Sequence, residues 1–152
     1  MSIWKPNVTV AAVVEQNGKY LLVEEEPEPG LGLFLNQPAG HLDPGESIIQ
    51  ATIRETLEET AYTFVPEYLL GIYQWHSQQA DTTYLRFAFV GKITQHDPRR
   101  KLDTGIVRAD WFDVDEIARQ TERHRSPLVM QCIRDHQAGK RYPLELLTHY
   151  ES

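Results

Sequence analysis

This sequence predicts an α+β fold, a mixed β-sheet sandwiched between α-helices, on three observations. A helix carrying many carboxylates follows the turn at Gly40 and occupies the middle of the chain. Strand-like runs of β-branched, aromatic or alternating residues lie on both sides of it. Two more helix signals come after the last strand. The 152 residues fit one domain, residues 1–152, long enough to bury a real core, and no repeat or linker interrupts them.

Taken in order, Val8–Glu15 and Lys19–Glu25 are strand-like and joined through Gln16-Asn17-Gly18, where Asn-Gly signals a hairpin. Glu26-Pro27-Glu28-Pro29-Gly30-Leu31-Gly32 reads as an exposed loop. A short strand near Leu33–Asn36 leads through Gln37-Pro38-Ala39-Gly40 into the central helix. After it, Tyr68–Trp75 and Thr82–Ile93 are strands around a turn at Ser77–Asp81. In the second, Leu85, Phe87 and Phe89 alternate with Tyr84, Arg86 and Ala88, one buried face against one mixed face. Arg86 is there either as a substrate-phosphate ligand or as half of a partly buried salt bridge. Tyr73, Trp75 and Tyr84 are either core or a stacking surface for a heterocycle.

The stretch His96–Gly105 is a polar loop with the basic cluster Arg99, Arg100 and Lys101, and Ile106–Phe112 is a further strand. Asp113 with Glu116 three residues on has the form of a capping box, which makes Glu116 a cap rather than a ligand. The last helix starts at Ser126-Pro127 and stops near Gly139. Leu128, Val129, Cys132, Ile133 and His136 form its apolar stripe, in which His136 is structural.

Composition narrows the function. A net charge of −7 argues against nonspecific nucleic-acid binding, which draws on basic patches. An anionic substrate would then need local help from metal or arginine. A single cysteine, Cys132, excludes an internal disulfide framework and is compatible with the cytoplasm. The start of the chain has no long apolar run, so neither a signal peptide nor a membrane span is expected.

Around the central helix, Ile49, Ile53, Thr56 and Leu57 fall in one arc and predict the face that packs on the sheet. Glu55, Glu58 and Glu59 fall on the arc roughly opposite. Like charges at these spacings cost about a few tenths of a kcal/mol per pair. Either Arg54 relieves them on a solvated face, or a divalent cation does, since Mg²⁺ takes oxygen ligands from carboxylates, water and phosphates.

The whole pattern resembles the Nudix hydrolase signature, with Gly40, Glu46, Arg54, Glu55, Glu58 and Glu59 in register. Six matches at fixed offsets arise by chance on the order of once in a hundred thousand chains of this length. Thr56, Ala61 and Tyr62 depart from it, none of them at a ligand position. A glycine at position 61 would suit a left-handed helix end, which alanine adopts at a cost of roughly 1 kcal/mol. Outside or at the edge of the signature, Lys5-Pro6-Asn7-Val8-Thr9-Val10, Asn36-Gln37-Pro38-Ala39-Gly40-His41-Leu42, Ser126-Pro127-Leu128-Val129 and Arg141-Tyr142-Pro143-Leu144-Glu145 resemble the bacterial NudJ-type phosphatases.

The resemblance implies a sandwich fold and a Mg²⁺-dependent hydrolase of phosphoanhydride bonds, with Mn²⁺ able to substitute. The implied substrates are small molecules, nucleoside di- and triphosphates or thiamine-type pyrophosphates, for a monomer or homodimer. It makes Glu55, Glu58, Glu59 and the Gly40 carbonyl metal ligands and Glu46 an outer partner. Arg54 would hold a glutamate in place, and Glu55 is a candidate base. Relatives carry a further glutamate in the loop before the strand tryptophan. Here Thr104-Gly105-Ile106 take that place, and either Asp103, the nearest carboxylate, substitutes through a water or Glu55 does the work. The alternative is a catalytically silent Nudix module that senses a nucleotide. Such modules typically lose signature carboxylates, and this chain keeps all of them.

Overall fold

The computed structural model describes residues 2–151, so Met1 and Ser152, the ends of the expected 1–152 unit, lie outside it. Strand β1 (Asn7–Val13) is followed by β2 (Glu15–Gln16), β3 (Lys19–Glu25), β4 (Phe34–Asn36) and β5 (Ala39–His41). Helix α1 (Ile48–Thr60) comes next, then β6 (Tyr62–Ser77), β7 (Thr82–His96) and β8 (Ile106–Asp113). The chain ends with α2 (Val114–Ala118), α3 (Leu128–Gln137) and short 3₁₀ turns. No helix among the described residues is long and apolar enough to cross a membrane.

The strands form two four-stranded sheets rather than one. The first runs β5-β1-β7-β6 and is mixed, because β1 and β7 are parallel while the other pairs are antiparallel. The second pairs β3 with β2, β4 and β8. The run expected as one strand over Val8–Glu15 divides at Val14, and only Glu15–Gln16 turn back onto β3. Asn17 and Gly18 make that turn with φ of 54° and 80°, the left-handed pair that a two-residue hairpin favours.

Both sheets feed the same two cores. Ala11, Val13, Tyr20, Leu22, Ala88 and Val90 meet Val129, Cys132 and Ile133 of α3 on one side. Ala12, Val14, Leu21 and Phe89 gather with Phe64, Ile48, Ile49 and Ile53 on the α1 side. The strands thus make one layer between helices, the expected sandwich. The expected division of β7 does not hold: Arg86 and Ala88, expected on the mixed face, are buried with Val90, while Leu85 and Phe87 on the expected buried face are half-buried and Phe89 is fully covered. The strands β6 and β7 outrun the expected bounds at the α1 end, starting at Tyr62 and ending at His96. Pro66 is accommodated in β6 because that strand is the edge of its sheet.

Helix α1 corrects the predicted division of faces. Its fully buried positions are Ala51, Thr52, Thr56, Glu59 and Thr60, while Ile49, Ile53 and Leu57 are half-buried on the flank. The threonines can go inside because each hydroxyl donates to the carbonyl four residues back, at 2.9, 2.8 and 2.6 Å. The buried face therefore runs between the isoleucines and the glutamates, and draws Glu59 in with it. Ser47 caps the helix, and its hydroxyl and the Gln50 side chain complete a capping box.

At the other end Ala61 is left-handed, φ 63° and ψ 14°, with its N–H on the Leu57 carbonyl. Alanine is strained there, so Ala61→Gly is expected to stabilise the fold by about 0.5–1 kcal/mol. A urea titration would read this as a higher midpoint. A lower midpoint would mean that the alanine methyl, almost fully buried, packs better than its backbone suffers.

Candidate active site

The site is built where α1 faces β5 and the loop before β8. Ala39 and Gly40 lie on β5, opposite Ala11 and Val10 of β1. The loop carrying Asp103 is fastened to the helix at two points. Asp97 N–H donates to the Ala61 carbonyl at 2.9 Å, and Asp103 N–H to the Glu58 carbonyl at 3.0 Å. The exposed residues Arg99, Arg100 and Lys101 between them lie near the negative end of the helix dipole.

One oxygen each from Glu55, Glu58 and Asp103 lie within 4.8 Å of one another. Glu59 is not in that group. Its carboxylate turns toward β5 and accepts from the Ala39 N–H at 3.0 Å. Burial pushes Glu59 up to about 9, against the Ala39 hydrogen bond and helped by the charges of Glu25, Glu55 and Asp103. Burial also raises Glu55, opposed by Arg54.

Arg54 organises the other side of the group. It grips Glu46 through two nitrogens, at 3.0 and 2.7 Å, while Nη1 donates to both Glu55 at 2.8 Å and Glu58 at 2.9 Å. Its Nη2 also donates to the His41 carbonyl at 3.0 Å and lies 3.3 Å from the Asp43 carboxylate. The bidentate bond to Arg54 lowers Glu46 below the usual carboxylate range, and the same bond raises Arg54. Glu46 thus stands behind the group as Arg54's partner.

Gly40 stands against Glu55. A methyl at Gly40 would overlap the Glu55 carboxyl group, whose Oε1 would be only 2.5 Å away. The strand and the carboxylate fit together only because that position has no side chain. A donor set of three carboxylates, without thiolate or imidazole, suits a hard divalent cation. The residues present fit such an ion.

The candidates on β6 and β7 are placed elsewhere. Trp75 and Tyr84 are cross-strand partners whose rings stack on each other, centroids 5.6 Å apart. The Tyr73 hydroxyl donates to Asp135 at 2.7 Å, and its ring packs against the α3-side core. Among the described residues, no hydrogen bond or ion pair joins these three to the carboxylates. Among the described residues Arg86 makes no salt bridge. It donates to the Asn36 and Gln37 side-chain oxygens, both at 3.0 Å, with the Cys132 sulfur at 3.8 Å.

Sequence reasoning missed Glu25, at the end of β3. It accepts from the Asn36 side-chain amide at 3.1 Å, lies 3.4 Å from Arg125, and adds its charge to the field at Glu59. In the sequence it is one of three glutamates in a row before a loop, with nothing to single it out.

A NUDIX domain model matches residues 4–131. The chain is 41% identical over 145 residues to phosphatase NudJ of Escherichia coli strain K12, covering 95% of this chain and 92% of that one. It is similar to the solved structure of a Nudix hydrolase from Nitrosomonas europaea, at TM-score 0.94 and 64% identity over 96% of this chain and 98% of that one. A MutT Nudix hydrolase from Burkholderia pseudomallei shares the fold, at TM-score 0.72 and 17% identity over 87% of this chain and 98% of that one. Signature residues gathered at one place, together with a match along nearly the whole chain, make this protein a hydrolase of the Nudix family.

Proposed function

We propose that the chain is a divalent-metal-dependent hydrolase of phosphoanhydride bonds in nucleoside di- and triphosphates or thiamine-type pyrophosphates, working with Mg²⁺. The observation that carries this reading is the convergence of Glu55, Glu58 and Asp103 oxygens within 4.8 Å, beside a buried Glu59 that favours its charged form only near a cation. Phosphatase activity is supported by the likeness to phosphatase NudJ, while the substrate class is what the family resemblance of the sequence implies.

Glu58, Glu59 and Asp103, with the Gly40 carbonyl and Glu55, would hold the metal. When bound, the metal neutralises charge on the phosphate oxygens and lowers the pKa of a water. Glu55 would also be the base that takes the proton from the attacking water, with Arg54 fixing its direction. Asp103 fills the place of the loop glutamate found in relatives. Arg54 bridges Glu55 and Glu58 through one nitrogen, offsetting their repulsion, and is itself anchored by Glu46.

The test is a product assay at mildly alkaline pH with Mg²⁺, scoring phosphate and pyrophosphate separately. Nucleoside di- and triphosphates and thiamine pyrophosphate are each supplied. The expected result is Mg²⁺-dependent turnover with orthophosphate released. Retained Mg²⁺-dependent nucleotide binding without turnover of any of them would replace the hydrolase reading with that of a binding module.

A further inference from the structure

Arg86 is buried, with 5% of its surface exposed, in a strand whose neighbours on the same face are Ala88 and Val90. An aliphatic side chain would fill that place without taking a charge out of water. No carboxylate among the described residues pairs with it. Its acceptors are the oxygens of two successive side-chain amides, Asn36 and Gln37, which precede Pro38, Ala39 and Gly40.

Arginine has donors only, so both amides must turn their oxygens to it and their NH₂ groups away. The Gln37 NH₂ then donates to the Val129 carbonyl at 2.8 Å, and the Asn36 NH₂ to Glu25 at 3.1 Å. The next residues are fixed in turn. The Pro38 carbonyl accepts from Ala12 N–H at 2.9 Å, Ala39 N–H donates to Glu59, and Gly40 lies against Glu55. A guanidinium 49 residues away along the chain is thus the common anchor of the segment that touches two of the site's carboxylates.

We infer that Arg86 is a positioning residue of the metal site, acting through Asn36 and Gln37 to hold the Asn36–Gly40 segment against Glu59 and Glu55 and to aim Asn36 at Glu25. The inference rests on the proposed reading of those carboxylates as a metal site. Lysine keeps the charge, but its single nitrogen cannot reproduce the two-pronged contact in which Nη1 serves Gln37 and Nη2 serves Asn36.

The experiment compares wild type, Arg86→Lys and Ile133→Ala, the last a buried residue of the same core with no bond to the segment. Residue-resolved amide hydrogen exchange is measured on the metal-free proteins, and Mn²⁺ affinity by titration of the free-ion signal. In Arg86→Lys, exchange of the amides of residues 37, 39 and 40 is expected to quicken at least about tenfold relative to those of residues 69–71 in β6, with Mn²⁺ affinity falling about tenfold or more. Ile133→Ala should lower the melting temperature with neither change.

Exchange that quickens evenly along the chain, or Mn²⁺ affinity within about twofold of wild type, overturns the inference. If Arg86→Lys does not fold, Asn36→Ala is read for the same two quantities with the same outcomes. Wild type that binds no Mn²⁺ would instead sink the metal-site reading, and the segment-selective exchange would still decide what Arg86 positions.

Discussion

Glu58→Gln is expected to lower kcat by at least about 10²-fold while leaving the melting temperature unchanged or slightly higher. The two halves of that result have separate causes. Glutamine keeps the length of the side chain and an oxygen that can still accept from Arg54 Nη1, now at 2.9 Å from the carboxylate. It removes a negative charge three residues from Glu55 and one from Glu59, so repulsion within the helix falls. Glu58 is also more open than Glu55, its side chain 28% exposed against 12%, so no buried polar atom is orphaned. On the proposed reading, what disappears is one anionic ligand from a set whose field a divalent ion requires. Turnover at saturating Mg²⁺, a thermal melt and Mn²⁺ affinity are the measurements. Turnover within about threefold of wild type would mean that Glu58 is a surface residue and that the group of three oxygens has another use.

Much of this site was legible in one dimension because its chemistry is set by spacing along a helix. Residues three apart share a face whatever the helix packs on, so Glu55 and Glu58 could be brought together without coordinates, whereas Glu59, grouped with them by the same spacing, turns inward to the Ala39 N–H. Local turn chemistry was readable for the same reason. Asn17-Gly18 and the Asp113–Glu116 capping box are decided within four residues. Ala61 adopts the left-handed end that the signature's glycine would have taken more easily.

Other features depend on partners far away in sequence. Nothing in the run Val8–Glu15 marks Val14 as the point where the chain changes sheets, since both halves are equally apolar and β-branched. Strand β5 is three residues long and centred on glycine, so its place beside β1 comes from pairing rather than propensity. The packing face of α1 includes Thr56 as expected but turns further toward Ala51, Thr52 and Thr60, because a threonine loses its polar character once its hydroxyl bonds its own helix. Arg86 was weighed as an ion-pair or phosphate residue. Its amide partners lie 49 and 50 positions away, and neither carries a charge that would advertise the contact.

Gly40→Ala should leave the protein folded and cost about 10–10² in kcat, through Glu55 rather than through the backbone. Gly40 is not among the residues with positive φ, so the strand conformation itself accepts a side chain. What is missing is room. The added methyl would overlap the Glu55 carboxyl group, whose Oε1 would lie 2.5 Å away. That carboxyl is the tip of a flexible side chain, so it yields before β5 does, swinging away from Glu58, Asp103 and its bond to Arg54 Nη1. A double-mutant cycle with Glu55→Ala separates this account from a general effect on the strand. If Glu55 transmits the loss, Gly40→Ala in the Glu55→Ala background changes kcat by less than about twofold. Losses that simply multiply would show that Gly40 acts by another route, with its own backbone carbonyl the first to suspect, since a metal ligand there would be displaced whether or not Glu55 is present.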